Sequence, residues 1–484
     1  MFAGEWWIGG LDDKGSLHIS AETYRQIQDP YRAGPANDLD TTMPATDKVW
    51  KVSRSQIIDH QMHFPDPNYS IPIDILTWPG NGDVSIGESA QLAPYFDVNG
   101  NGIYEPTQGD FPCIRGDMAV YAIYSDDFHS IFPANVEVHT MLYAFNGYPG
   151  VPELDSVVFN HTRFIYKGQM QLTDVYAGQF IDFDLGDYTD DYVGCDVERN
   201  LFYAYNGDEF DGQGGYGLNP PAQGVRILKG PLAAINDGID NDHDSIVDEP
   251  SETLGLFGFM SYSSFLHDAN GVPSNAFEYY YSLHGKWNDG TQMVFNQTNG
   301  HAPTGGPGTP TTFLYPSVTD PNYPGVDWSE ATAGNIPSER RVLGSVGPMT
   351  LNPGDELQFD LMYGYSRAFS GGRMASLGTM RNQSDAVAQW FEQQDFACTS
   401  SIGLDEAEVH VGIYPNPTSN YLNVSIDAPI PIHWTLYALN GQVVTQGDSS
   451  DSGFQIDVRN LPKASYLIEI SGPGVQVTKP VVVQ

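Results

Sequence analysis

Residues 118–164 contain three alternating apolar runs, MAVYAIY (118–124), VEVHTMLYAF (136–145) and SVVFNHTRF (156–164). In each run, apolar side chains are separated by polar or small ones at the two-residue period of a β-strand. Such alternation places one face of a sheet in a core and leaves the other face in contact with water. The stretch therefore predicts the central strands of a mainly β domain.

The sequence on both sides of this stretch extends the same domain. A hairpin is predicted at 6–20, where two strand-like runs flank the turn Asp12–Gly15. Gly and Pro dominate 212–340, which predicts long loops. Residues 371–395 have apolar side chains at mixed three- and four-residue steps, which predicts a helix. We therefore expect one large β-sandwich-like domain, 1–396, with long loops and a closing helix.

The last part of the chain, 412–484, has shorter apolar runs separated by Pro, Asn-Gly and Gly-Pro. This pattern predicts a small antiparallel, immunoglobulin-like β-sandwich of about seven strands. A short polar segment, 397–411, is the predicted linker between the two domains. The successive motifs of the small domain are YPNP (414–417), LNV (422–424), LYALNGQVV (436–444), LPKASYLIEI (461–470) and KPVVV (479–483).

The order of these motifs resembles the type A C-terminal sorting domain of the type IX secretion system of Bacteroidota. The resemblance implies that 412–484 is bound by the type IX secretion machinery and that the chain is exported. The family usually has Gly where this chain has Ala464, and Ala there would strain a turn that needs a positive φ. The expected location is outside the cell, either secreted or on the outer-membrane surface.

The large domain carries a resemblance of its own. Its segments LAPYFDVNGNGIYEPTQGDFPCIRGD (92–117) and GPMTLNPGDELQFDLMYG (347–364) resemble a group of secreted Bacteroidota proteins with the same tail. This resemblance implies where the protein is located and how its domains are arranged. Type IX cargo first needs an ordinary export signal, whereas residues 1–7, MFAGEWW, have neither a basic nor an apolar signal region. We therefore expect the sequence to be processed or to begin inside a longer gene product.

The composition limits the class of function. The chain has 61 acidic and 21 basic residues, and its formal net charge of −40 repels nucleic acid phosphates and anionic lipid. It contains no apolar run of about eighteen residues, so no transmembrane segment is expected. Its three cysteines lack the spacing of a zinc site, and an extracellular location permits a disulfide. We expect that bridge between Cys113 and Cys195, with Cys398 in the linker.

The segment NDGIDNDHDSIVDE (236–249) is the most specific metal-binding pattern in the chain. Carboxylates recur at alternate positions from Asp240, and such spacing directs oxygen atoms towards one calcium ion. The segment looks like the DGxDNDxDxxxDE calcium loops of extracellular bacterial proteins, and Glu252 follows it shortly. The alternative is a group of solvated carboxylates. The predicted calcium ligands are Asp240, Asp242, Asp244, the carbonyl oxygen of Ile246, Asp248 and Glu249.

The segment DVNGNGIYE (97–105) is a second candidate calcium loop. It has oxygen-bearing side chains at positions 1, 3, 5 and 9 and Gly at position 6, a spacing similar to that of EF-hand loops. Position 12 is Gln108 instead of an acid, so the pattern predicts a weaker site, and a simple Asn-Gly turn is the alternative. The predicted ligands are Asp97, Asn99, Asn101, the carbonyl oxygen of Ile103, and Glu105.

Other groups allow more than one interpretation. Asp182 and Asp184 share a strand face near Asp187, Asp190 and Asp191. A glycosidase needs such paired carboxylates for catalysis. The alternative is a solvated or calcium-linked edge of the sheet. Glu137 and His139 also share a strand face, with Asp126, Asp127 and His129 nearby. They suggest a transition-metal site, for which ordinary hydrogen bonding is the alternative. The aromatic residues that either stack on sugars or belong to the core are Trp78, Trp287, Trp328 and Tyr279–Tyr281.

These observations favour a secreted or cell-surface protein with a binding or structural role, stabilised by calcium. Its expected partners are the type IX secretion machinery and an extracellular glycan or another surface molecule. The alternative is an extracellular glycan-binding or glycan-hydrolysing enzyme, which only the paired acids and the loop aromatics support.

Overall fold

In the computed structural model the chain divides into two compact units, Met1–Cys398 and Thr399–Gln484, called the cargo unit and the tail unit below. Nearly all of the predicted linker, 397–411, lies outside the described residues. The structure describes residues 1–23, 31–37, 46–126, 132–212, 214–263, 269–296, 298–302, 308–396, 411–426, 432–438, 442–451, 453–472 and 475–484.

The described residues of the cargo unit are rich in strands and contain a few helices. The strands are β1 Ala3–Leu11, β2 Leu17–Ser20, β3 Tyr31–Ala33, β4 Trp50–Ser53, β5 Tyr95–Phe96, β6 Phe111–Pro112, β7 Met118–Asp126, β8 Val136–Ala144, β9 Val157–Tyr166, β10 Leu172–Asp182, β11 Asp191–Asp196, β12 Leu201–Asn206, β13 Phe210–Asp211, β14 Gly217–Leu218, β15 Ala222–Lys229, β16 Gly258–Ser263, β17 Arg340–Leu351 and β18 Glu356–Ser366. The helices are α1 Arg54–His63, α2 Ile73–Leu76, α3 Ala276–Leu283, α4 Glu330–Ala333 and α5 Gly372–Phe391.

Most of these strands belong to two antiparallel sheets. Sheet 1 has the strand order β16-β17-β10-β1-β2. Sheet 2 has the order β11-β12-β15-β18-β9-β8-β7-β3, with β4 also paired to β7. The predicted first hairpin is β1–β2, in which Ile8 pairs with Ser20 and Leu11 with Leu17. The three alternating runs of 118–164 are the consecutive neighbours β7, β8 and β9 of sheet 2.

Sheets 1 and 2 pack face to face. The ring of Trp6 in β1 lies 5.5 Å from that of Phe164 in β9 and 4.7 Å from that of Phe359 in β18, centroid to centroid. The Trp6 indole N–H also donates to Thr162 Oγ1 at 3.1 Å. The interior between the sheets is therefore an apolar core, and the predicted mainly β, sandwich-like fold is confirmed.

The opposite face of sheet 2 is also buried. Helix α5 covers it with Val387, Trp390 and Phe391, which share a second core with Phe159. Phe164, on the same strand as Phe159, points into the first core, as the two-residue period requires. These strands are therefore buried on both faces over much of their length, although Met118, Leu142 and Val158 are exposed, as an alternating strand predicts. Helix α5, which lies inside the predicted range 371–395, supplies part of the second core, and residues such as Trp50 and Trp78 supply another part.

The predicted Cys113–Cys195 disulfide is wrong. Cys195 is free and fully buried in β11, whereas Cys113 is disulfide-bonded. The Cys195 thiol lies among the apolar side chains of the first core and donates to the carbonyl of Leu314 at a sulfur–oxygen distance of 3.6 Å. It therefore serves as a small core residue. Cys398 lies outside the described residues.

The described part of the tail unit forms a second, smaller sandwich. Its strands are β19 Val411–Tyr414, β20 Tyr421–Ile426, β21 Ile432–Ala438, β22 Val443–Ser449, β23 Gly453–Asp457, β24 Ser465–Gly472 and β25 Val475–Val482, in sheets ordered β19-β20-β23 and β22-β21-β24-β25. Leu422 of one sheet and Leu436 of the other are fully buried in the shared core. The predicted small β-sandwich is confirmed. Ala464 is not among the described residues with positive φ, so its methyl group causes no backbone strain.

None of the described helices is long and apolar enough to cross a membrane.

Candidate metal centre

The acidic loop 236–252 connects β15 of sheet 2 to β16 of sheet 1, and Asn200 holds it in place. Asn200 sits in the turn between β11 and β12 with a φ of 51°. Its Nδ2 donates to the carbonyl oxygen of Asp242 at 2.6 Å. Its Oδ1 accepts from the N–H of Leu256 at 2.7 Å and from His243 Nδ1 at 2.8 Å. One buried amide therefore ties both arms of the loop to the sandwich.

Inside the loop, alternate side chains turn towards one another. The Asp240 carboxylate accepts from the backbone N–H groups of Asp244 at 3.1 Å and Ser245 at 3.0 Å. The Asp244 carboxylate accepts from the N–H of Ile246 at 2.7 Å. As a result, one carboxylate oxygen each from Asp240, Asp242 and Asp244 lie within 4.8 Å of one another. The structure thus brings together the first three predicted carboxylate ligands.

Asp242 also belongs to a second carboxylate group, together with Glu249 and Glu252, whose oxygens again lie within 4.8 Å of one another. Glu252 is only 6% exposed. Its Oε1 accepts from the N–H of Asn241 at 2.5 Å, and its buried Oε2 has no hydrogen-bond partner among the described residues. The buried Oε2 of Glu249 lacks a described partner as well. Leaving two such oxygens unpaired is costly, which makes this group a candidate cation site.

The electrostatics of the loop agree with this geometry. Burial, followed by the negative charges of Asp244 and Glu249, raises the pKa of Asp242 to about 6. Burial lowers the pKa of His243, so its imidazole is neutral at pH 7 and supplies no positive charge. The atoms that face one another are therefore carboxylate oxygens, the ligands that a hard cation such as calcium prefers.

One predicted ligand of this loop turns elsewhere. Both oxygens of Asp248 are 3.2 Å from the backbone nitrogen of Gly238, whose N–H they accept. Asp248 is in neither carboxylate group of the described residues. The side chain of Ile246 is exposed, and its carbonyl oxygen stays a predicted ligand. Glu252, which lies just beyond the acidic segment 236–249, joins Asp242 and Glu249 in the second carboxylate group.

The second predicted loop, 97–105, is a hydrogen-bonded turn. Asp97 Oδ1 accepts from the N–H of Gly100 at 2.7 Å, and Oδ2 accepts from that of Gly102 at 2.6 Å. These bonds, that from Gly102 above all, lower the pKa of Asp97. Among the described residues of this loop no three acidic groups converge. Of the other predicted positions, Asn99, Asn101 and Glu105 accept hydrogen bonds within the segment, and Ile103 is exposed.

Asp182 and the histidine site have structural partners. Asp182 is fully buried, and its Oδ2 lies 3.2 Å from Arg341 Nε, whereas its Oδ1 has no described hydrogen-bond partner. His139 Nε2 lies 2.8 Å from Glu137 Oε1, and its Nδ1 lies 2.7 Å from the hydroxyl of Tyr121. All three side chains of that network are buried. Of the acids and histidines near it, Asp127 and His129 lie outside the described residues, and Asp126 accepts from Ser20, Asn135 and Val136.

The aromatic candidates for sugar stacking belong mainly to the cores. Trp287 and Trp328 are each 1% exposed, and Trp78 is 4% exposed. Tyr279 and Tyr280 of α3 are buried as well. These side chains stabilise the fold and offer no open face for a ligand.

Comparisons with known proteins agree with the tail motifs. Residues 412–484 match the model of a secretion system C-terminal sorting domain. No curated protein sequence matches the chain. A solved structure titled a polysaccharide lyase is similar at 8% identity and a TM-score of 0.21, over 75% of this chain and 35% of that chain. Because the chain spans so little of that structure and the TM-score is so low, this similarity carries no argument about activity.

The sorting domain identifies the route that the protein takes. Such a domain interacts with the type IX secretion machinery. The protein is therefore an exported protein, extracellular or on the cell surface, that carries a type IX C-terminal sorting domain at 412–484.

Proposed function

We propose that the cargo unit is an extracellular binding or structural protein whose loop 236–252 holds a calcium ion. The observation that carries this proposal is the buried Oε2 of Glu252, which has no described hydrogen-bond partner and belongs to one group with Asp242 and Glu249. A calcium ion there would give each orphaned oxygen a partner and cancel most of the repulsion.

The ligand chemistry favours calcium over other metals. The converging atoms are carboxylate oxygens, and the described groups include no sulfur or neutral imidazole ligand, which zinc or copper would prefer. Magnesium requires a tight octahedral shell and releases its waters reluctantly, whereas calcium accepts irregular sets of oxygen ligands. A loop of converging carboxylates therefore suits calcium better than magnesium.

The position of the loop indicates what the ion does for the protein. The loop carries the chain from β15 of sheet 2 to β16 of sheet 1. Asn200 attaches the loop to the turn between β11 and β12. An ion bound by Asp242, Glu249 and Glu252 would therefore lock a crossing between the two sheets. Because the unfolded chain lacks this arrangement, calcium at one hundred times its Kd should add about 2.7 kcal/mol to the free energy of unfolding.

The test is thermal unfolding of the purified protein in chelator and in calcium, with calorimetric titration to count ions. We expect Tm to rise with calcium in the parent, and more than with magnesium. Glu252→Gln keeps the size of the side chain and its bond to Asn241 but should lose most of the shift. Asp13→Asn, at an exposed turn position, is the matched control and should retain it. An equal Tm in chelator and calcium for the parent would refute the proposal.

A further inference from the structure

Four apolar side chains, three of them aromatic, are exposed on the β13–β14 hairpin and on the loop before α5. Their exposed fractions are 56% for Phe210, 42% for Tyr216, 67% for Leu218 and 82% for Phe369. The tryptophans that the sequence suggested for sugar stacking are, in contrast, all buried. We call the four exposed side chains the aromatic face. Large apolar groups held open to water in this way are typical of binding surfaces.

The β13–β14 hairpin has one exposed face and one buried face. Phe210 pairs directly with Leu218, so these two side chains project from the same face. A Cβ at Gly217 would lie 3.9 Å from Phe210 Cε2, so the Phe210 ring lies against the strand that follows Tyr216. Asp211, the next residue along the strand from Phe210, projects from the opposite face and is fully buried. The apolar side chains therefore occupy the side of the hairpin that faces water.

Arg367 holds Tyr216 and Phe369 together at this hairpin. Its Nη2 donates to the carbonyl oxygens of Tyr216 at 2.9 Å and Leu218 at 3.1 Å, and its Nε donates to that of Asn219 at 3.0 Å. Its Cζ lies 5.4 Å from the ring centroid of Tyr216 and 5.4 Å from that of Phe369, which are cation–π distances. Both rings therefore contact one guanidinium group, whose position is fixed by three backbone acceptors.

The loop that carries Phe369 is tied to the same hairpin. Asn219 Nδ2 donates to the carbonyl oxygen of Phe369 at 3.2 Å, and Asn219 Oδ1 accepts from the N–H of Gly372 at 3.1 Å. Gly371 and Gly372 have φ values of 90° and 74°, which glycine adopts without strain. The aromatic face is therefore held in place before a ligand arrives, and this reduces the entropy lost on binding.

The size and charge of the molecule argue against a protein partner at the aromatic face. A whole aromatic side chain has about 150–250 Å² of surface, so the three rings together expose about 350 Å². A stable protein interface buries about 800 Å² on each partner. A second copy of this chain would also bring a net charge of −40 towards an equal charge. A narrower, uncharged ligand therefore fits this face better.

Two carboxylates border the aromatic face. Asp208 and Glu209 directly precede Phe210, and both side chains are exposed. Glu209 Oε2 accepts from the N–H of Arg373 at 3.1 Å, which holds this carboxylate beside the start of α5. Such carboxylates accept hydrogen bonds from hydroxyl groups and repel anions. Apolar rings edged by acceptors match a sugar, which has an apolar C–H face and hydroxyl groups around its rim.

We propose that the aromatic face binds a neutral polysaccharide, with Asp208 and Glu209 accepting hydrogen bonds from its hydroxyl groups. Phe210 and Phe369 are the expected stacking residues, because their rings are the most exposed of the three. The same carboxylates should exclude acidic polysaccharides. This ligand class specifies the binding role proposed above, and the site uses none of the residues of the loop 236–252.

The experiment measures binding of the full chain to the neutral polymers cellulose, xylan, mannan and β-1,3-glucan, and to the anionic polymer polygalacturonate. We expect the parent to bind at least one neutral polymer and not the anionic one. Phe369→Ala should weaken the Kd by about tenfold or more, whereas Phe369→Tyr keeps a ring and should bind like the parent. Phe277→Ala is the matched control, because Phe277 is 58% exposed on helix α3, and it should leave binding unchanged.

Several results would overturn this assignment. They are no binding of the parent to any of the neutral polymers, equal binding by Phe369→Ala, and an equal loss in Phe277→Ala. A parent dimer in sedimentation velocity that Phe369→Ala dissociates would assign the face to a second copy instead. Glu252→Gln alters the calcium loop alone and should bind the polymer like the parent, so failure of the calcium proposal would leave polysaccharide binding intact.

Discussion

Trp6 Nε1 lies 3.1 Å from Thr162 Oγ1, and this buried hydrogen bond joins β1 of sheet 1 to β9 of sheet 2. Thr162 in turn donates to Asn160 Oδ1 at 2.7 Å. We predict that Thr162→Val lowers the free energy of unfolding by about 1–3 kcal/mol, because it leaves the indole N–H buried without an acceptor. Urea unfolding followed by fluorescence measures this loss.

A double-mutant cycle separates the hydrogen bond from the packing. Trp6→Phe removes the donor. Thr162→Val should therefore lower the free energy of unfolding less in that background than in the parent. Thr140→Val is the control, because Thr140 also contacts Asn160 and Thr162 but leaves the bond to Trp6 in place. If Thr162→Val lowers the free energy of unfolding equally in both backgrounds, the hydrogen bond adds nothing to stability.

The packing of His284 predicts a pH dependence of stability. Its ring lies between Tyr176 and Tyr280, with centroid distances of 4.1 and 4.4 Å. Burial lowers the pKa of His284 to about 4, although Asp174 opposes the shift. The unfolded chain binds the His284 proton more tightly than the folded protein does. The neutral ring therefore contributes fully to the free energy of unfolding above about pH 6.5, and this contribution is lost as pH falls towards 4.

We expect the parent to lose about 1–3 kcal/mol more than His284→Phe between pH 7.5 and 4.5. The phenyl ring keeps the aromatic packing and binds no proton. Urea unfolding at both pH values in chelator, for both chains, measures the difference. Parallel losses in the two chains would contradict the assignment.

Gly186 and Gly147 have the same φ of 65° but different surroundings. A Cβ at Gly186 would lie 1.9 Å from Asp211 Oδ2, whereas one at Gly147 would meet nothing within 4 Å. Both Ala variants share the backbone strain, so the extra loss in Gly186→Ala reports the clash. We expect it to be about 1–3 kcal/mol by urea unfolding. Equal losses would show that the carboxylate simply moves aside.

The cysteines should differ in their reactivity. Cys195 is fully buried, and burial raises the pKa of its thiol well above the ordinary value. Iodoacetamide should therefore modify Cys195 only after unfolding, and Cys113 only after reduction as well. Peptide mapping of the oxidised protein checks both expectations and identifies the partner of Cys113. Alkylation of Cys113 without reductant would contradict its disulfide.

Removal of the tail should separate export from folding. The described hydrophobic cores of the cargo unit consist of residues between 6 and 396, so a chain without 412–484 should still unfold cooperatively. It should remain in the periplasm, as cell fractionation would show, because it lacks the sorting domain. Ala464→Gly is the control, since Ala464 has no positive φ to relieve, and that chain should be exported. Surface delivery of the truncated chain would refute this role.

Features that depend on the local order of residues along the chain could be predicted from the sequence. The two-residue alternation of 118–164 specified neighbouring strands, since side-chain direction in a strand follows from residue number alone. The motifs of 412–484 likewise identified the sorting domain. In the acidic loop, the spacing of Asp240, Asp242 and Asp244 was enough to bring their oxygens together, because hydrogen bonds to near neighbours curl the loop.

The contacts between groups far apart in the chain could not be predicted, because they depend on how distant segments pack. Nothing in the local sequence places Asp191 opposite Asn206, or covers the outer face of sheet 2 with Trp390 of α5. The same applies to Cys195, whose burial in the core removed it from the expected disulfide. Whether a polar atom is left without a partner depends on the pairing and burial of segments far apart in the chain, so the unpartnered Oε2 of Glu252 emerges only in the folded protein.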